Sequence, residues 1–267
     1  MPKQLAIVTG AAGDMGRAIA RRLARDHDAV VFADLDGGAA EAAARELGPQ
    51  HIPATLDATS PESCAELAAL TREAGAVATL VNNAGGAVAT SLHGTSPERW
   101  QADRALNLDA AYYVFAALAD QLKDSRGAVV NIVSVNALSA FGHPAYSAAK
   151  AGMVHLTRMI AVEYGRFGIR ANAVAPGTVH TQAWEARAAA NPQVFADAAQ
   201  HYPLGRIVRP EDVAETVGFL ASPLAGAITG VVLPVDCGLT AGIPAIARTF
   251  SQSGDYAPST APNEVLK

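Results

Sequence analysis

The side chains best suited to chemistry are those of Tyr146 and Lys150, in the run Tyr-Ser-Ala-Ala-Lys at the start of a helical pattern. Residues four positions apart on a helix share a face, so both groups can approach one ligand. A free phenol has a pKa near about 10 and is a poor base at neutral pH, but a neighbouring ammonium group favours the phenolate. The pair could exchange a proton with a substrate hydroxyl or carbonyl group, although this spacing is also common on exposed helix faces.

Polar residues follow two apolar stretches that have the pattern of strands. Ser134 follows the run 128–133, and Asn83 and Gly85 follow the run 79–82. In an open parallel sheet, ligands bind beyond the carboxyl ends of the strands. We therefore expect Ser134 and the Asn-Asn-Ala-Gly segment to lie at the same sheet edge as Tyr146 and Lys150, a convergence that packing alone does not explain.

A glycine-rich turn follows the first strand-like run, with Gly10, Gly13 and Gly16 in the sequence Thr-Gly-Ala-Ala-Gly-Asp-Met-Gly. Glycines at a strand-to-helix turn permit positive φ and the close approach of a pyrophosphate. The N-terminus of the following helix offers free N–H groups and the positive end of its dipole. The turn predicts nucleotide binding, and a tight turn without a ligand is the alternative.

Asp34 ends the second strand-like run, Val-Val-Phe-Ala-Asp, about 20 residues past the glycines, where a carboxylate can accept hydrogen bonds from an adenosine ribose. The same charge repels a 2′-phosphate. No Arg or Lys occurs among Ala11, Ala12, Gly13, Leu35 and Asp36. These features predict NAD rather than NADP. Alternatively Asp34 caps the next helix, a role that Asp36 fits better.

Seven short apolar runs have the pattern of strands, and amphipathic, alanine-rich stretches lie between them. The strand candidates are 5–9, 29–33, 51–56, 79–82, 128–133, 170–174 and 231–235. The helix candidates are 15–25, 38–47, 61–74, 97–122, 145–166 and 210–221. Strands that are apolar on both faces and alternate with helices predict a parallel sheet covered on both sides. We expect a doubly wound, Rossmann-like α/β fold of three layers.

The composition is that of a chain with a large buried core. Of the 267 residues, 50% are hydrophobic and 17% are charged, and the formal net charge of -5 comes from interspersed acids and bases, which argues against a nucleic-acid partner. No apolar run approaches the ~20 residues of a membrane span, and the N-terminus lacks a signal-peptide pattern, so the cytoplasm is expected. Cys64 and Cys237 lack a metal-ligand spacing and are expected to be structural thiols.

We expect one catalytic domain over residues 1–242. After Gly242 the sequence turns to Ser, Pro, Thr, Asn and Gly, as in Ser-Gln-Ser-Gly-Asp and Ala-Pro-Ser-Thr-Ala-Pro, without periodicity, and we expect an irregular tail over residues 243–267. The connection from about 178 to 203 is long, and long connections often act as functional lids.

Together these features resemble the short-chain dehydrogenase/reductase family over about residues 4–242. The matching positions are Gly10, Gly16, Asp57, residues 82–85, Asn107, Ser134, Tyr146, Lys150 and residues 176–181. The resemblance implies a seven-stranded parallel sheet and a catalytic tetrad in which Tyr146 is the general acid/base and Ser134 holds the substrate oxygen. Lys150 then lowers the Tyr146 pKa and binds the cofactor ribose. Asn107 positions a water molecule of the proton relay, and a satisfied buried amide is the alternative for this residue.

The resemblance also implies NAD binding and a homotetramer. Asp57 would meet the adenine amine, or alternatively cap the helix that begins near Pro61. The expected cofactor-binding residues are Gly10, Gly13, Asp14, Met15, Gly16, Asp34, Leu35, Asp57, Ala58, Asn83, Ala84, Gly85, Tyr146, Lys150, Pro176, Gly177, Val179 and Thr181. In the tetramer, the helices at 97–122 and 145–166 pack across one two-fold axis.

Two positions depart from the family pattern. Asp14 stands where the family has the middle glycine of the turn, and we expect its carboxylate to face the amides of the following helix rather than the phosphates, since Asp can cap a helix. Cys237, in Val-Asp-Cys-Gly, replaces one of two glycines, and we expect it to perturb only local packing.

The expected substrate contacts are Ser134, Asn136, His143, Tyr146 and Trp184, flanked by Gly86, Ala87, His93 and Ala137. Such polar side chains favour a sugar, a polyol or another polar cyclic alcohol, oxidised to a ketone or, for a hemiacetal, to a lactone. An NADPH-linked ketoacyl-type reductase and a non-catalytic nucleotide sensor are the alternatives. Asp34 argues against the first, and the complete tetrad argues against the second. No metal site is expected.

Overall fold

The computed structural model describes residues 2–182, 189 and 191–256. One seven-stranded sheet has the order β3-β2-β1-β4-β5-β6-β7, and each neighbouring pair is parallel. The strands are β1 Gln4–Thr9, β2 Ala29–Asp34, β3 Ile52–Thr55, β4 Ala76–Asn82, β5 Ala128–Ile132, β6 Arg170–Pro176 and β7 Val232–Val235. This confirms the predicted doubly wound α/β fold.

Helices connect the strands and cover both faces of the sheet. They are α1 Asp14–Leu23, α2 Gly37–Leu47, α3 Pro61–Ala74, α4 Pro97–Arg104, α5 Ala110–Ser125, α6 Pro144–Tyr164, α7 Val194–Ala199, α8 Pro210–Ala221 and α9 Pro244–Ser251. Local signals start several of them: Ser60 and Ser96 each accept a hydrogen bond from a first-turn amide, and a proline follows each serine. Within the described ranges, no helix is long and apolar enough to cross a bilayer.

The core has two main layers, one on each face of the sheet. On one face, Ile19 of α1 and Val217 of α8 pack with Phe32 of β2. On the other face, Leu67 of α3 and Leu118 of α5 belong to a second cluster with strand residues. The central strands are buried along nearly their whole length, which explains their uninterrupted apolar sequences. Such a sheet holds its strand ends rigidly at one edge.

Three segments differ from the sequence-based expectation. The single helix expected over 97–122 is interrupted by a π-helical turn, Ala105–Asp109, between α4 and α5. The tail expected to be irregular begins with α9, because Pro244 presets the first turn and the run up to Ser251 is helical before the Ser- and Gly-rich residues begin. The long connection after β6 contains α7.

Candidate active site

A cavity of about 810 Å³ opens where the carboxyl ends of β4, β5 and β6 meet, within the usual size of small-molecule sites. We call it the Tyr146 cavity. The predicted site residues in its lining are Met15, Asn83, Gly85, Ser134, Asn136, His143, Tyr146, Lys150, Pro176, Gly177, Val179 and Thr181, together with the flanking candidates Gly86 and Ala87. The fold therefore brings three of the four predicted catalytic residues and part of the predicted cofactor residues to one cavity, whose lining does not include Asn107.

Tyr146 and Lys150 lie in the first two turns of α6 and approach the end of β5. Lys150 Nζ is 5.7 Å from the centroid of the Tyr146 ring and donates a hydrogen bond to the carbonyl of Ile132 at 2.7 Å. Ser134, two residues past that strand, lines the same cavity as Tyr146 and is a neighbour whose hydroxyl lowers the pKa of the phenol. Strand β5 thus positions both the serine and the lysine relative to the phenol.

Burial dominates the electrostatics of this group. It raises the pKa of Tyr146, and the hydrogen bond with Ser134 opposes that rise. Burial also lowers the pKa of Lys150 to about 7. The structure differs here from the expectation that Lys150 lowers the Tyr146 pKa. Removal from water disfavours the charged form of each group, and Ser134 is the neighbour that lowers the pKa of the phenol.

Asn107 lies in the π-helical turn and is 1% exposed. Its Nδ2 donates to the carbonyls of Gly86 and Asp103, each at 2.8 Å, and its Oδ1 accepts from the Gly86 amide at 3.1 Å. Protein groups therefore engage both ends of the side-chain amide, as the buried-amide alternative predicts. A Cβ built on Gly85 would lie 2.8 Å from Asn107 Oδ1 and 3.2 Å from Lys150 Nζ, so the glycine lets these two side chains approach the same point.

Asn136 and His143 line the cavity but are held by the protein. Asn136 Nδ2 donates to the Gly142 carbonyl at 2.9 Å and to Ser147 Oγ at 3.1 Å, and its backbone N–H donates to Ser134 Oγ at 3.2 Å. His143 Nδ1 lies 3.0 Å from the carbonyl of Ala89, and the residue has a φ of 52° just before α6. Asn136 thus orients Ser134, and His143 joins the start of α6 to the loop after β4.

The glycine-rich turn has features that fit a pyrophosphate. Gly10 has a φ of 62°, and a Cβ there would lie 3.0 Å from the Cα of Ala84. Asn83 Nδ2 donates to the carbonyls of Thr9 and Gly10, while Asn83 Oδ1 is buried and accepts no hydrogen bond from the described residues. Helix α1 begins directly after Gly13, so its free N–H groups and positive dipole end lie at the turn.

Asp34 is joined to the same turn. Its Oδ2 accepts from the Ala12 amide at 2.9 Å and its Oδ1 from the Asp36 amide at 3.1 Å, while Asp36 itself caps α2 through the Ala39 amide. The suggestion that Asp34 caps that helix is therefore wrong. Each carboxylate oxygen can accept a further hydrogen bond, and the neighbouring Leu35 is 72% exposed, as a residue that covers an adenosine group would be.

Asp57 follows β3 and does not cap α3, because the capping residue is Ser60. Asp57 Oδ1 accepts from the backbone N–H of Thr59 at 2.9 Å and from its hydroxyl at 2.6 Å, which lowers the pKa of Asp57. No hydrogen bond from the described part of the chain reaches its other carboxylate oxygen, and Ala58 beside it is buried.

The two departures from the family pattern have specific structural consequences. The expectation that Asp14 faces the amides of α1 is wrong: the cap residue is Gly13, and Asp14 Oδ2 instead accepts from the backbone N–H of Gln182 at 2.6 Å. Cys237 has a φ of 50°, in the region that favours glycine, and its carbonyl accepts from the Leu204 amide. Cys237 therefore keeps a backbone conformation that favours glycine, which the expectation of a local packing effect alone did not include.

Several residues that complete the cavity were not among the predicted site residues. They are Phe141, Ala198, His201, Tyr202, Leu239 and Ile243. Tyr202 is buried and its phenolic oxygen accepts from the Thr178 amide at 2.8 Å, a contact between the two ends of the long connection that no local sequence signal indicates. Trp184 lies outside the described residues, and His93 is exposed on the loop before α4.

A second cavity, of about 900 Å³, is lined by α7 and α9 and shares His201, Tyr202 and Ile243 with the Tyr146 cavity. Its described lining contains none of the predicted site residues. The chemistry therefore centres on the Tyr146 cavity.

Comparison with known proteins agrees with this geometry. Residues 10–240 match the sequence model of a family described as Enoyl-(Acyl carrier protein) reductase. The cis-4-hydroxycyclohexanecarboxylate dehydrogenase of Sinomonas cyclohexanicum is 38% identical over 247 residues, 90% of this chain and 97% of that protein. An uncharacterised oxidoreductase of Schizosaccharomyces pombe is 38% identical over 259 residues, 95% of this chain and 97% of its own length.

A solved structure of similar fold supports the same family assignment. The crystal structure of an oxidoreductase of the short-chain dehydrogenase/reductase family from Burkholderia thailandensis superposes with a TM-score of 0.89 at 43% identity, and the match covers 95% of this chain and 99% of that one. Sequence and fold agree over nearly the whole length, and the chain belongs to the short-chain dehydrogenase/reductase family of oxidoreductases.

Proposed function

We propose that this oxidoreductase is an NAD-dependent dehydrogenase that interconverts a secondary alcohol and the corresponding ketone. The observation that carries the proposal is the convergence of Ser134, Tyr146 and Lys150 on the Tyr146 cavity. A side chain that exchanges a proton must reach the substrate oxygen, and a buried phenol beside a second hydroxyl group meets that requirement.

The chain's own residues divide the work of the reaction. When bound, the nicotinamide supplies the hydride acceptor for oxidation or the hydride donor for reduction. Tyr146 removes the hydroxyl proton at its phenolic oxygen, or returns it in the reverse direction. Ser134 holds the substrate oxygen by a hydrogen bond. Lys150, fixed to the Ile132 carbonyl, keeps further donors for a ribose hydroxyl.

The cofactor preference is attributed to Asp34. Its carboxylate accepts a hydrogen bond from the turn that follows β1, beside the expected position of the adenosine ribose. There it can accept hydrogen bonds from both ribose hydroxyls and repel the 2′-phosphate of NADP. The remaining cofactor contacts expected from the sequence, from Gly10 to Thr181, are part of the same proposal.

The cavity walls narrow the class of substrate. Asn136 is a polar side chain of the kind that would bind a polyol, but it already donates hydrogen bonds to Gly142 and Ser147. Tyr202, Leu239 and Ile243 add apolar surface. Among sugars, polyols and other polar cyclic alcohols, this lining favours a cyclic alcohol with one apolar face. The relative from Sinomonas cyclohexanicum is named for such a substrate.

The assembly proposed is a cytoplasmic homotetramer. The outer surfaces of the helices expected at the two-fold axis carry exposed apolar side chains, including Trp100 of α4, Tyr112 of α5 and Val162 of α6. Apolar side chains of this size on adjacent helices favour burial against another subunit.

The decisive experiment pairs turnover with cofactor binding. We expect Tyr146→Phe to abolish NAD reduction with a panel of cyclic alcohols, sugars and polyols while NADH binding stays nearly intact, because only the phenolic oxygen is removed. Titration with NADH and NADPH should show tighter binding of NADH. Retention of most of kcat would refute the role of Tyr146, and tighter NADPH binding would favour the ketoacyl-reductase alternative. Cofactor binding without turnover of any alcohol or ketone by the parent protein would favour a sensor.

A further inference from the structure

Asp14 connects two parts of the protein that are far apart in the sequence. It is the first residue of α1, at the glycine-rich turn, and its Oδ2 accepts from the backbone N–H of Gln182 at 2.6 Å. A hydrogen bond to a carboxylate is stronger than one between neutral groups. The contact therefore joins the turn to the segment that follows β6.

That segment, residues 178–182, is anchored along its length. The Thr178 amide donates to the Tyr202 hydroxyl at 2.8 Å, and Val179 forms a β-bridge with Val208. The His180 amide donates to the carbonyl of Val208 at 3.0 Å. Asp14 supplies the corresponding contact at Gln182, immediately after Thr181, which lines the Tyr146 cavity.

The two arginines that line a surface cavity together with Asp14 are engaged elsewhere. Arg17 Nε donates to the Ala12 carbonyl and its Nη1 forms an ion pair with Glu46 at 2.8 Å, and Arg21 lies 3.9 Å from the same carboxylate. Among the described residues, Asp14 has no ion-pair partner within 4.0 Å. The contact of its carboxylate with the Gln182 amide is thus a hydrogen bond that either an Asp or an Asn oxygen can accept.

We infer that Asp14 is a positioning residue that fastens residues 178–182 to the glycine-rich turn and so holds Thr181 at the wall of the Tyr146 cavity. The inference rests on the proposed function in so far as Thr181 is taken to contact the cofactor. A glycine at position 14 could not make this contact, because it has no side chain. With Asp14 in place of the family's glycine, the turn loses the conformational freedom of glycine. In exchange it gains a hydrogen bond that joins the glycine-rich turn to residues 178–182.

Two substitutions separate the hydrogen bond from the charge. Asp14→Asn and Asp14→Ala both remove the negative charge, but only asparagine keeps an oxygen that can accept from Gln182. We expect amide hydrogen exchange at Gln182 to be at least about 10-fold faster in Asp14→Ala than in Asp14→Asn, because the amide loses its partner. We expect NADH to bind about 3- to 10-fold more weakly to Asp14→Ala than to Asp14→Asn, with the difference in KM for NAD exceeding that in kcat.

The donor side provides the matched control. Gln182→Ala keeps the backbone N–H and should bind NADH about as tightly as Asp14→Asn, the variant that keeps the hydrogen bond. Gln182→Pro removes the donor and should bind NADH as weakly as Asp14→Ala. Equal exchange at Gln182 in Asp14→Ala and Asp14→Asn would overturn the inference, even if both variants are folded by circular dichroism. Because exchange is measured without cofactor, failure of the NAD proposal would appear separately, as absence of NADH binding in the parent protein.

Discussion

Burial moves the pKa values of two neighbouring side chains in opposite directions. The pKa of Tyr146 is raised and that of Lys150 is lowered to about 7, because each charged form loses water. A neutral phenol can donate a proton near neutral pH, which suits ketone reduction. Alcohol oxidation needs the phenolate, so its rate should rise with pH until Tyr146 has lost its proton.

At the residue scale, Ser134 is the neighbouring side chain that lowers the pKa of Tyr146. Removing its hydroxyl should raise the Tyr146 pKa further, because the lost hydrogen bond is the one that lowers it. In Ser134→Ala we expect the rising limb of the kcat/KM profile for alcohol oxidation to move to higher pH, together with a loss of rate. Ser134→Thr, which keeps a hydroxyl, should shift less. A limb that stays in place in Ser134→Ala would contradict the assignment.

At the element scale, the π-helical turn between α4 and α5 carries Asn107 into contact with Gly86. Such turns insert one residue into an α-helix and occur often at functional sites. The hydrophobic period of residues 97–122 predicted that this stretch is helical and packs against the rest of the protein. It could not predict the inserted residue, because the insertion is stabilised by hydrogen bonds to a loop from another part of the chain.

The end of α5 offers a test of backbone strain. Arg126 closes this helix with φ 55° and ψ 45°, a conformation in which a β-carbon is unfavourable. We expect Arg126→Gly to have a free energy of unfolding about 1 kcal/mol higher than Arg126→Ala, measured by urea denaturation. The alanine variant is the control, since both substitutions remove the long side chain and only glycine removes the β-carbon. An alanine variant as stable as the glycine variant would show that the strain is absent in solution.

At the scale of the whole molecule, the proposed tetramer predicts a solution mass of about four times the 27.4 kDa chain. Val162 is 80% exposed on the outer surface of α6, where a charge would be buried on association. We expect Val162→Glu to lower the mass in light scattering, because an unpaired carboxylate is costly in an apolar interface. Leu92→Glu, an equally polar change on an exposed loop, is the control. A parent protein that scatters as a monomer would refute the tetramer.

The sequence by itself determined the fold class, the seven strands, the position of Ser134 after the end of β5 and the position of Tyr146 and Lys150 at the start of a helix. These properties follow from local patterns: apolar runs for buried strands, capping residues for helices, and the rule that ligands bind beyond the carboxyl ends of parallel strands. The first residues of α3 and α8 also followed from a local signal, because a proline begins each helix.

Only the tertiary structure decided what each polar group contacts and how its pKa is shifted. Asp14 accepts from Gln182 rather than from its own helix, Asn107 is satisfied by Gly86 and Asp103, and Tyr202 and Ile243 reach the Tyr146 cavity from distant parts of the chain. Hydrogen-bond partners and burial depend on which segments the fold brings together, and pKa values depend on that burial. No pattern of neighbouring residues contains this information.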